Sequence, residues 1–310
     1  MQDAQAPRKT IPPRSHAATA LAALVIANIA LAFGPLFVRI SDVGPVAAGF
    51  WRIALATPVL LAASTMMGDR PFTASRGLWG LLALAGLAFA ADLASWHIGI
   101  GYTTLANSTL FGNSATLIFP IYGFVVARMW PTRTQGLALL FAAVGAGLLM
   151  GRSASLSREH LIGDLFCLLA GALYAVYFVL MARARERLAP IPALALSSLA
   201  SVPPLLLLAL AMGEQILPTN WWPLLALAVV SQLIGQGCMI YALGHLTPLV
   251  VGIGLLIQPV VAAALGWVVF DERLAAADGI GAVLVALALV LVRQGSKPAL
   301  APDAQAPKSA

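Results

Sequence analysis

Trp79–Ala85 reads W-G-L-L-A-L-A, and Trp222–Ala228 reads W-P-L-L-A-L-A, 143 positions later. The same offset pairs Gly101 with Gly244, Thr104 with Thr247, Gly123 with Gly266, Val125 and Val126 with Val268 and Val269, and Gly136 with Gly279. One ungapped register from Trp79 to Gly136 makes the second half a copy of the first. An odd number of apolar spans fits each half, so the copies are expected to lie upside down relative to each other. Inverted repeats of this kind mark secondary transporters.

Composition makes the bilayer the solvent. Hydrophobic residues are 60% of the 310 and charged residues 10%, against roughly 25% charged in soluble domains. Each span needs about 20 apolar residues to cross about 30 Å of hydrocarbon. Ten fit, at 17–39, 45–67, 77–98, 103–127, 134–151, 161–182, 190–212, 221–243, 247–269 and 275–292. The breaks carry turn and charge signals, such as Gly68-Asp69-Arg70-Pro71, and leave no room for a soluble domain. Backbone polar groups in hydrocarbon must bond internally, and the runs are continuous rather than alternating. A helix bundle is therefore expected, not a barrel. The fold class is an all-α integral membrane protein of ten transmembrane helices in two inverted five-helix repeats.

With the N-terminus inside, thirteen basic residues fall in inner segments, Arg8, Arg70, Arg128 and Arg183 among them. Four fall outside: Arg39, Arg152, Arg158 and Arg273. The positive-inside rule places both termini in the cytoplasm. It also accounts for the net charge of +6 without nucleic acid. Cysteines at Ser155 and Gln215 should label from outside and one at Thr132 should not; labelling from one side at all three would end the inverted-repeat argument. Cys167 and Cys238 lie in separate spans without ligand spacing and read as packing residues. Fifteen arginines to three lysines hint at a GC-rich bacterial genome, hence a bacterial inner membrane.

Polar side chains inside spans are expensive and carry a functional default. Asp92 and Trp96 share a face of the third span, with His97 beside them. Asp92 and His97 are the candidates to carry a proton. Their structural alternatives are a helix–helix hydrogen bond and a packed histidine near the outer interface. The fourth span offers Asn107, Phe111 and Asn113; the sixth, Tyr174 and Tyr177; the eighth, Gln232 and Gln236 on one face; the ninth, Gln258. Amides also glue membrane helices together. Read collectively, they line a polar cavity between spans one, three, four, six, eight and nine, with aromatic rings for an apolar substrate side chain and amides for its head. Pro35, Pro120 and Pro259 are expected helix breaks, and Arg52 is assigned a structural role with Asp42 its nearest partner in sequence. His160 and Asp164 read as solvated loop residues. Under the 143 offset Asp92 meets Gly235 and Asn107 meets Val250, so the scaffold repeats and the polar groups do not. That asymmetry favours an organic solute.

No zinc, nucleophile-elbow, P-loop or dinucleotide motif occurs, so neither metal nor cofactor is expected. An integral membrane lipid enzyme lacks a visible nucleophile or metal cluster; a non-transporting sensor lacks a signalling tail.

Several stretches are similar to the drug/metabolite transporter superfamily, specifically EamA-type exporters: Phe33-Gly34-Pro35-Leu36-Phe37-Val38, Pro45 with Phe50-Trp51-Arg52, Gly101-Tyr102-Thr103-Thr104, Gly244-His245-Leu246-Thr247-Pro248, Gln258-Pro259 and Phe270-Asp271-Glu272-Arg273-Leu274. Thr116 stands where the second repeat has Pro259, and Met129-Trp130 replace Glu272-Arg273. The resemblance implies EamA units at 17–151 and 161–293 between cytoplasmic tails 1–16 and 294–310. Ser95-Trp96-His97 resembles the YddG type of aromatic amino acid exporter. The implied function is export of small organic metabolites, amino acids foremost, by alternating access, as a uniporter or proton antiporter. Other metabolites or cationic drugs are carried on the same fold. A monomer in contact with lipid, with no nucleic acid partner, is expected.

Overall fold

The computed structural model describes residues 14–115, 130–153 and 157–272, and single positions between 118 and 128 and between 276 and 291. It is helical, with no strand among the described residues. The helices are α1 (Ala17–Arg39), α2 (Pro45–Met66), α3 (Trp79–Ile100), α4 (Leu105–Gly112), α5 (Arg133–Ser153), α6 (Arg158–Ala184) and α7 (Pro190–Ala211), then α8 (Trp222–Leu243) and α9 (Pro248–Phe270). Seven of them, α1–α3 and α6–α9, are long and apolar enough to cross a bilayer. Pro120, Thr116, Ser155, most of the second half of the expected fourth span and most of the tenth lie outside the described residues.

Local signals set the ends. Pro45, Pro190 and Pro248 open their helices, where a missing N–H costs nothing. α6 begins earlier than its apolar run, at Arg158, because the Ser157 side chain accepts from the His160 amide. The repeat is visible at this level. Thr104 accepts from the Asn107 amide and Thr247 from the Val250 amide, and α3 and α8 begin and end at positions 143 apart.

Without a hydrophobic drive between helices in lipid, close packing of small residues holds the bundle. α3 packs on α6, α2 on α7, α1 on α8 and α4 on α9. Exchanging the halves turns the α3–α6 contact into α8–α1 and returns α2–α7 and α4–α9 to themselves. A β-carbon at Gly86 would lie 2.5 Å from that of Ala200, and one at Gly99 2.5 Å from Cys167 Sγ. These glycines set the approach of α3 to α7 and α6.

Three helices are interrupted. α1 breaks at Phe33, just before Gly34-Pro35. α4 ends its first segment at Gly112 with Asn113 beyond it, and α9 turns at Leu255-Leu256 before Gln258-Pro259. The last two breaks fall at equivalent repeat positions. In α8, Leu227–Gln236 is a π-helix, a wider form frequent at functional sites.

One end of the bundle is clasped between halves. It is the end that the charge distribution assigns to the outside. Arg39 Nη1 pairs with Glu272 Oε1 at 2.7 Å, the only ion pair among the described residues. Arg39 also donates to the Thr103 carbonyl and lies 5.2 Å from the Phe270 ring centre. Glu272 accepts from the Leu105 amide at 3.2 Å. Glu214 accepts the Val46 and Ala47 amides at 3.2 and 2.7 Å, satisfying the start of α2. Trp51 Nε1 donates to the Ile216 carbonyl at 2.6 Å.

Asp42 accepts the Thr219 amide at 2.7 Å, the Asn220 amide at 3.0 Å and the Thr219 hydroxyl. The Thr219 hydroxyl, with both amides, holds this carboxyl below its ordinary range. A depressed folded value means the joint contributes fully above the unfolded pKa and is lost as pH falls through the folded one. Thr219→Val should therefore flatten the acid limb of the thermal midpoint against pH. An unchanged limb would remove Asp42 from the acid response.

Candidate functional site

A small cavity of about 30 Å3 lies between the halves, lined by Leu31 of α1, Arg52 of α2, Phe89, Asp92, Leu93 and Trp96 of α3, Gly112 and Asn113 at the α4 break, Tyr174 of α6, Gln236 of α8 and Gln258 of α9. Its walls come from α1, α3, α4, α6, α8 and α9, and also from α2, which the sequence reading did not include. The helix breaks explain why amides reach it. A turn at Leu255-Leu256 frees the start of the following segment, and Gln258 enters one residue before a proline.

Three hydrogen-bonded chains tie the cavity wall across helices. Asn113 Nδ2 donates to Gln258 Oε1 at 3.2 Å, and Gln258 Nε2 to Asn28 Oδ1 at 2.8 Å, joining α4, α9 and α1. The Tyr174 hydroxyl donates to Gln236 Oε1 at 3.1 Å, joining α6 and α8. Arg52 Nε donates to Gln232 Oε1 at 3.1 Å, and Gln232 Nε2 to Ser198 Oγ at 3.2 Å, joining α2, α8 and α7. An aromatic shelf stands beside them. Phe89 stacks on Tyr177 at 4.5 Å and on Tyr174 at 6.4 Å, and Tyr174 meets Phe178 at 4.2 Å. The arrangement offers a solute polar contacts on one side and ring faces on another.

The sequence-derived residues divide into two groups. Asp92, Trp96, Asn113, Tyr174, Gln236 and Gln258 line the cavity. His97, Asn107, Phe111, Tyr177 and Gln232 are buried but stand outside its lining. The one-residue step from Trp96 to His97, about 100° around a helix, separates their surroundings. Trp96 Nε1 donates to the Ser108 carbonyl at 2.9 Å, whereas His97 Nδ1 bonds the Pro45 carbonyl at 2.9 Å and packs on Gly49. Pro35 and Pro259 are buried just after the breaks of α1 and α9.

Gln232 and Gln236, four apart on the π-helix, meet different partners, Gln232 on α2 and α7 and Gln236 on α6. Two expectations are corrected. Asp42 is not the partner of Arg52. Its carboxylate is engaged by Thr219 and Asn220, while Arg52 reaches Gln232 and lies 6.0 Å from the Phe89 ring centre. Asp164 is not a solvated loop residue; α6 starts before it, it is 4% exposed, and it accepts from Thr103 Oγ1 at 2.7 Å. Hence Asp92 is not the only buried carboxylate within a helix. Sequence reasoning also passed over Ser198 and the Arg39–Glu272 pair. Arg39 and Glu272 are 233 residues apart, and neither stands out locally.

Residues 161–294 match the EamA-like transporter family. An uncharacterized transporter from Archaeoglobus fulgidus is 27% identical over 171 residues, covering 54% of this chain and 57% of its own length. The alignment thus spans somewhat more than half of that relative. A crystal structure superposes with a TM-score of 0.69 at 17% identity, covering 90% of this chain and 98% of that one, which shows a shared fold. The second half of this multi-pass helical chain is thus similar to the EamA-like transporter family.

Proposed function

We propose that this protein is a transmembrane exporter of small organic metabolites, with aromatic or other apolar amino acids the favoured class, resident in a bacterial cytoplasmic membrane. The observation that carries the reading is the cavity itself. Both halves wall it, broken helices supply its amides, and an aromatic shelf adjoins them. Discontinuous helices meeting at a midplane site between repeats are the transporter pattern. The two five-helix halves would rock about this cavity, exposing it to one side at a time. Uniport and proton antiport are separated by the buried carboxylate: Asp92 lines the cavity, so antiport would run through it.

Purified protein in proteoliposomes, loaded with a labelled panel of amino acids, organic cations and sugar phosphates, tests the reading. Faster efflux of aromatic or branched amino acids than from protein-free vesicles is the expected result. Efflux of none of the panel would overturn the transporter reading. A superimposed pH gradient that leaves flux unchanged would remove the antiport version.

The clasped end supplies a second test. If access alternates, the Arg39–Glu272 pair has to open once per cycle. Cysteines at these two positions, joined by a short bifunctional thiol reagent, should abolish most flux, and cleavage of a reducible linker should restore it. Full flux in the cross-linked protein would mean that this end does not open.

A further inference from the structure

Arg52 is a large buried cation in a membrane bundle, 1% exposed and on the wall of the cavity. Such a charge is retained only with partners. Its Nε has one, the Gln232 side chain. Its Nη1 is buried with none. Asp92, 6% exposed, lines the same cavity from α3. Yet no nitrogen of Arg52 comes within 4.0 Å of an Asp92 oxygen. An acidic and a basic group that face one low-dielectric space are held apart. Gln232, anchored on Ser198, fixes the guanidinium from behind, and Phe89 lies against it.

We propose that Arg52 and Asp92 together read a zwitterion. The free edge of the guanidinium takes the α-carboxylate of the solute and the Asp92 carboxylate takes its α-ammonium. This inference rests on the amino acid reading above and sharpens it to solutes bearing both charged groups on one carbon. A planar guanidinium matches a carboxylate through parallel donors. A solute with one charge leaves the opposing wall charge buried and unmatched, which is where the discrimination arises. The remaining groups, Tyr174 and Trp96 among them, face the side chain of the solute. Arg52 thereby becomes a specificity residue rather than a purely structural one.

The test compares three solutes that share one phenethyl frame and differ in the charged groups they carry: phenylalanine, phenethylamine without the carboxylate, and 3-phenylpropionate without the ammonium. In wild-type proteoliposomes phenylalanine should compete for transport on the order of tenfold to a hundredfold better than either analogue, the scale of a hydrogen bond to a charged group. Arg52→Gln should collapse the preference over phenethylamine, and Asp92→Asn the preference over 3-phenylpropionate. Arg52→Lys, which keeps the charge but not the planar fork, should retain part of the first preference. Phenylalanine transport with no preference over the analogues in wild type would overturn the zwitterion inference and leave the exporter standing. The wild-type comparison decides even if Arg52→Gln fails to fold. Transport of other solutes but of no amino acid would instead remove the amino acid reading.

Discussion

Gly99→Leu should abolish recovery of folded, monodisperse protein. At this point α3 meets α6 backbone to backbone. A β-carbon would lie 2.5 Å from Cys167 Sγ and 2.8 Å from the Gly163 carbonyl oxygen. Gly163 answers from the other helix, its β-carbon position lying 3.1 Å from the Gly99 carbonyl oxygen and 2.8 Å from Tyr102 Cβ. A sulfur can turn away, but a helical carbonyl cannot, so even Gly99→Ala must push the helices apart. Overpacking of this kind costs about 1–3 kcal/mol for one extra carbon, and a leucine adds several more atoms to the same gap. The Phe89–Tyr174 contact spans the same two helices, and the Thr103–Asp164 bond ties the turn after α3 to α6; both would be strained with it. Gly80→Ala, in the same helix with nothing within 4 Å of its β-carbon, is the matched control. Thermal midpoints in detergent that are equal for Gly80→Ala and Gly99→Ala would refute this account of the α3–α6 contact.

Trp96→Ala should lower both stability and the preference for aromatic solutes. The indole fills the space between α3 and two backbone breaks. A β-carbon at Gly112 would lie 2.8 Å from Nε1, and one at Gly34 3.3 Å from Cη2. Its N–H serves the Ser108 carbonyl. Removing a large aromatic from a packed site costs about 3–5 kcal/mol, less where the new void joins an existing cavity. Stacking adds about 0.5–1.5 kcal/mol of preference for an aromatic solute, so discrimination of tryptophan or phenylalanine over alanine or threonine should fall several-fold. Trp96→Phe keeps a ring but loses the indole N–H bond to the Ser108 carbonyl, separating packing from recognition. Equal losses for both solute classes in Trp96→Ala would reduce Trp96 to a packing residue.

The local structure was largely legible because its causes are local. Apolar run length, an opening proline and a capping threonine or serine are all within a few residues of the ends they set, as at Pro45, Pro190, Thr104 and Thr247. The Asp92–Trp96 spacing placed both on the cavity wall, since a regular helix carries them one turn apart. Gln232 and Gln236 have the same spacing in a helix widened into a π-form that the sequence does not announce, and only Gln236 lines the cavity. Sequence reading failed for Asp164, because its burial depends on Thr103 in the α3–α4 turn, 61 residues away.

By itself, then, the sequence determined the solvent, the helical class, most span boundaries and the duplication, because hydrocarbon leaves a backbone few options and the repeat is written in apolar residues. The tertiary structure alone decided which polar residues meet. Arg52 finding Gln232 instead of Asp42, Arg39 finding Glu272, and His97 turning to Pro45 and away from the cavity are choices among partners far apart in sequence. They depend on helix breaks, a π-turn and glycine contacts, each of which rotates or shifts a side chain by ångströms that no periodicity records.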